Sequence, residues 1–66
     1  MSIVSNNIKR ILSETGIKQK VVAERASISE KSFSNMVCGR KNILAEDIPI
    51  IANALNVTVN ELFRPV

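Results

Sequence analysis

The chain has 66 residues, 45% hydrophobic and 23% charged, a composition that excludes a disordered segment and leaves room for one small globular domain, residues 1–66. With one cysteine, Cys38, and no histidine, tryptophan or tyrosine, an internal disulfide framework is excluded, and a metal site or histidine-based catalysis lacks its usual groups. The net charge of +3 is unevenly spread: residues 1–41 carry eight basic side chains against three acidic ones, whereas residues 42–66 carry one against three, which predicts a polyanion-facing side.

Taken in chain order, the apolar residues Val4, Ile8, Ile11 and Leu12 recur at helical spacing, and Gly16 supplies a stop, so a first helix is expected from about residue 3 to about residue 14. A second set, Val22, Ala23 and Ala26, follows Ile17, which is placed to staple onto Val22, while Lys18 is a poor N-cap. The third helix is signed at both ends. Ser29 is a good N-cap, Ile28 and Phe33 hold the positions of a hydrophobic staple, Gly39 suits the left-handed residue past the end, and Phe33, Met36 and Val37 form the core stripe. The fourth set is Ile48, Ile51, Ala52 and Leu55; Pro49 requires that this helix start close before it, near Ala45 to Asp47. Finally, Thr58-Val59-Asn60-Glu61 reads as a capping box with Val57 and Leu62 as its staple, which predicts a short fifth helix. The expected fold is all-α, a compact bundle of five short helices.

No apolar run approaches the roughly 20 residues of a membrane span. The start MSIVSNNIKR has neither the basic opening nor the long apolar segment of a secretory signal, so a cytoplasmic protein without a membrane partner is expected. Cys38 is expected to be a small, partly buried residue at a helix end and not a redox sensor.

Helices 2 and 3 are joined by a tight connection at Ser27 and Ile28, which is the geometry of a helix-turn-helix unit spanning about residues 18–38. Ala23 is small where the two helices cross. Ile28, Phe33 and Met36 supply the apolar turn and inner face, which frees the outer face of helix 3 for function.

The stretch "IKRILSETGIKQKVVAERASISEKSFSNMVCGRK", followed by "IIANALNVTVNELF", resembles the phage repressor and Cro-type (XRE-like) helix-turn-helix regulators over nearly the whole chain, from about Asn7 to Phe63. That resemblance implies a five-helix lambda-repressor-like domain that binds double-stranded DNA, usually as a homodimer on an inverted-repeat operator. It implies base reading by Ser29, Glu30, Lys31, Ser32, Ser34 and Asn35 on the third helix. Phosphate contacts are implied for Gln19 at the start of helix 2 beside Lys18, and for Arg40, Lys41 and Asn42 in the loop after helix 3. The chain departs from the family at Ser27, where Gly is usual in the turn, at Lys18, where Ser or Thr usually caps helix 2, and at Leu44, where a capping Ser is common.

Physical chemistry supports the same roles. The major groove admits a helix, and its base edges suit Asn for adenine, Lys for guanine, Glu for cytosine and Ser for several partners. Phosphates are met by cations, amides and helix N-termini, which position without specifying sequence. Glu30 is equally accounted for by the helix dipole, and Arg10 by an intramolecular ion pair. Leu62, Phe63 and Val66 are expected either to close the core or to extend it across a dimer interface.

The leading expectation is a sequence-specific transcriptional regulator acting as a repressor. The alternative is a protein-binding antitoxin or antirepressor-type module on the same fold, which would show exposed aliphatic or aromatic anchors on helix 3. No cofactor, small-molecule ligand or catalysis is expected, because no acid pair or activated nucleophile is visible.

Overall fold

The computed structural model describes residues 2–65 of the chain. Four α-helices, α1 (Ile3–Thr15), α2 (Gln19–Ala26), α3 (Glu30–Val37) and α4 (Asp47–Ala54), are followed by a 3₁₀ turn, Val59–Phe63. Each of the five contributes a side chain with no exposed surface to one core: Ile8, Val22, Phe33, Ile51 and Leu62. Burial of such a side chain contributes about 1.5–3 kcal/mol. α2 packs on both α3 and α4, while α1 packs on α3 and on the 3₁₀ turn, so that α3 is held from two sides.

The helix ends show how local chemistry fixes this arrangement. α1 begins at a reciprocal serine box: Ser2 Oγ accepts from the Ser5 amide and Ser5 Oγ accepts from the Ser2 amide, both at 3.1 Å. It closes at Gly16, whose left-handed φ of 74° lets its N–H reach the Leu12 carbonyl. α2 starts at Lys18, which makes no side-chain capping bond, as its chemistry predicts. At the start of α4, Leu44 has no capping oxygen and no side chain caps the helix; the Asp47 carboxylate in the first turn instead accepts the Leu44 amide at 3.1 Å, which fixes the chain entering the helix. Pro49 then sits in the third helical position, where its lack of an N–H is harmless. Asn56, in the left-handed region at φ 60°, ends the helix, and the Val57 amide reaches back to the Ala52 carbonyl.

Two expectations are corrected. The fifth helix is a 3₁₀ turn whose expected capping box does not form: Thr58 has the extended backbone of a cap but makes no side-chain bond. The Glu61 carboxylate lies instead 3.4 Å from the Arg10 guanidinium and 3.3 Å from that of Arg64. An ionic partner on α1 outcompetes a neutral amide for the carboxylate. Leu62 is fully buried within the domain, so of the two roles open to it the fold uses the first, closing the core. Of the other expected dimer residues, Phe63 is exposed, and Val66 lies outside the described residues. Cys38 is exposed, because it follows Val37 by one residue and is thereby rotated about 100° off the buried stripe.

Candidate nucleic-acid interface

The α2–α3 unit is set by Ser27, which takes the left-handed conformation, φ 56° and ψ 37°, that glycine adopts more readily. Its amide and that of Ile28 return to the Glu24 and Ala23 carbonyls at 3.2 and 3.0 Å, closing α2 and turning the chain. Ser29 then caps α3 by accepting the Ser32 amide at 3.1 Å. With Phe33, Met36 and Val37 buried, the opposite side of α3 is left to Glu30, Lys31, Ser34 and Asn35. These four line a shallow groove whose other wall is Gln19 and Lys20 from the first turn of α2. The first turn of α2 and the outer side of α3 are thus joined in space.

Ser29 and Ser32 do not line this groove. Ser32 Oγ accepts a hydrogen bond from the Lys41 ammonium, which ties the loop after α3 to the flank of that helix. The loop itself is folded onto the end of α3: Gly39 is left-handed at φ 81°, and the Arg40 and Lys41 amides both donate to the Asn35 carbonyl, at 2.9 and 3.1 Å. Arg40, Lys41 and Asn42 are consequently exposed at one end of α3, and Lys18 is exposed at the start of α2.

The electrostatic partition is informative. Among the described residues, the ion pairs are Arg10 with Glu14 and Glu61, and Arg64 with Glu61. Arg25 donates to the Ala54 carbonyl at the end of α4. Lys18, Lys20, Lys31, Arg40 and Lys41, the cations around α3 and the start of α2, are in none of these pairs. The ion-paired charge thus lies on α1 and at the 3₁₀ turn, whereas the cations outside these pairs gather around α3 and the start of α2. Lys20, not among the residues expected from the sequence, joins this set through its place in the groove beside Gln19.

The profile of the Cro/C1-type HTH DNA-binding domain matches residues 7–66. The chain belongs to the Cro/C1-type helix-turn-helix family. Neither the comparison with curated proteins nor that with solved structures returns a match. The four helices and terminal 3₁₀ turn are consistent with the Cro/C1-type fold, and the family is one of DNA-binding domains and not of enzymes. Among the described residues of this Cro/C1-type domain, no cluster of three metal-ligating side chains occurs, and no helix is long and apolar enough to cross a membrane.

Proposed function

We propose that this domain is a sequence-specific double-stranded DNA-binding regulator of transcription, a cytoplasmic repressor that occupies an inverted-repeat operator as a homodimer. The observation that carries the reading is the groove in which Glu30, Lys31, Ser34 and Asn35 of α3 stand opposite Gln19 and Lys20 of α2, flanked by cations that form no ion pair among the described residues. In this reading α3 enters the major groove. Asn35 pairs with adenine, Lys31 with guanine O6 and N7, and Glu30 with the cytosine amino group, while Ser29, Ser32 and Ser34 make shorter contacts at the edges. Gln19, Lys18, Arg40, Lys41 and Asn42 hold the phosphates on either side and set the register. Repression follows from occupancy alone, with no chemical step.

The alternative, a protein-binding antitoxin or antirepressor-type module, finds less support. The exposed large hydrophobic residues Ile3, Val21, Leu44, Ile50, Val59 and Phe63 all lie outside α3, whose outward surface is polar.

Selection of bound duplexes from a random pool at fixed salt tests the reading. The expected product is a motif with two symmetric half-sites, protected as a pair in footprinting. A pool that stays random through successive rounds, while the folded protein captures a protein partner with high affinity, would decide for the alternative.

A further inference from the structure

We propose that Lys20 is a further DNA-contacting residue, which supplies a phosphate contact from the first turn of α2 and offsets the charge of Glu30 across the groove. The inference rests on the DNA-binding reading of this same groove. Lys20 is exposed, follows Gln19 directly, and lines the groove together with Glu30 and Lys31. It takes no part in the fold's ion pairs, which use Arg10 and Arg64, nor in the capping bond that Arg25 makes to α4.

Two physical arguments assign the role. The first concerns the end of α2. Lys18 gives no side-chain acceptor to the opening turn, so the positive end of the helix dipole is not neutralised there, and the Lys20 ammonium adds a full charge to it. A phosphate oxygen at the groove mouth would meet both.

The second concerns Glu30. A carboxylate carried toward a polyanion is repelled unless it is rewarded by a donor and screened by a nearby cation. Lys20 and Glu30 share one groove without forming an ion pair, so each is open to a different nucleic-acid group: the ammonium to a phosphate oxygen, the carboxylate to an exocyclic amino group. Together with Lys31 they leave the groove with one net positive charge. Lys20 therefore sets both the strength of binding and the tolerance of an acidic reader.

The test uses the full chain, an operator duplex enriched by the wild type, and a scrambled duplex of equal length, titrated across salt concentrations. Lys20→Gln is expected to weaken binding to both duplexes by similar factors and to reduce the slope of log K against log salt by about 1. In a Glu30→Gln background, the loss on changing Lys20 should be smaller than in the wild type. Thermal melting of each variant should stay within a few degrees of the wild type, because neither side chain is buried and each changes only a surface helix-dipole interaction.

An unchanged affinity and salt slope for Lys20→Gln, with α3 variants still impaired, would overturn this inference and leave the DNA-binding reading intact. Equal losses in both Glu30 backgrounds would overturn the charge offset. Absence of any enriched duplex would overturn both readings together.

Discussion

Asn7 lies fully buried in α1 with its bonding capacity used. The two N–H groups of its Nδ2 are shared among the carbonyls of Ile3, Leu62 and Arg64, at 3.0, 3.0 and 2.8 Å, and its Oδ1 accepts from Arg10 Nε. One side chain thereby ties the last turn to the first helix. Asn7→Ala takes the donor from the Leu62 carbonyl in a buried bond and from two part-buried carbonyls, and should cost about 1–3 kcal/mol, seen as a lower urea midpoint at an unchanged m value. Asn35 carries the opposite kind of role. Its backbone carbonyl anchors the loop through Arg40 and Lys41, and truncating the side chain leaves those bonds in place. Asn35→Ala should therefore leave stability within about 0.5 kcal/mol while relaxing base preference by about 1–3 kcal/mol at one base pair. Competition among duplexes carrying single base-pair changes would measure this; a uniform loss across all of them would reassign Asn35 to the backbone. Lys41→Ala is expected to give that uniform loss and a shallower salt dependence.

At the scale of elements, the two ends that depart from the usual chemistry make contrasting predictions. Ser27 occupies a left-handed position, is exposed, and makes no side-chain hydrogen bond, so Ser27→Gly removes strain without removing a contact. Weighing a left-handed cost of about 1–2 kcal/mol against glycine's entropic penalty of about 0.5–1 kcal/mol gives a net gain of roughly 0.5–1 kcal/mol, a few degrees in Tm for a domain of this size. Thr58→Ala, by contrast, should be nearly neutral, below about 0.5 kcal/mol, whereas loss of a formed N-cap costs about 0.5–2 kcal/mol. A large drop in Tm for Thr58→Ala would mean that the capping bond forms in solution. The same contrast explains what was legible in the sequence. The stripes of Ile8 and Ile11, of Val22, Ala23 and Ala26, and of Phe33, Met36 and Val37 follow from helical periodicity, and they are buried as expected. The outward residues of α3 follow from those stripes by elimination. The pairing of Glu61 with Arg10 and the bonds from Asn7 to the Leu62 and Arg64 carbonyls were not legible, because these partners lie 51 or more residues apart along the chain and no local pattern reports them. Lys20 was obscured differently: its wall of the groove exists only once α2 and α3 are packed together.

For the whole molecule, size decides how an inverted repeat can be read. The domain measures 27 Å along its longest axis, and it carries one α3. Half-sites on one face of DNA are separated by about 34 Å, so two reading helices at that spacing require two copies. The proposed dimer must be built on surface that the fold does not already consume. Leu62 is excluded by its burial, while Phe63, 46% exposed, remains available on the 3₁₀ turn, with Val59 beside it in sequence and Ile3 exposed on α1, the helix against which that turn packs. Phe63→Ser should accordingly keep the wild-type Tm within a few degrees and retain binding to a single half-site, yet lose cooperative binding to the two-half-site duplex. Leu62→Ala should instead unfold the domain by about 2–5 kcal/mol and abolish both together. Sedimentation and anisotropy on the two half-site duplexes separate these outcomes. Unchanged cooperativity in Phe63→Ser would move the interface away from the 3₁₀ turn, toward the exposed Leu44 and Ile50 at the start of α4.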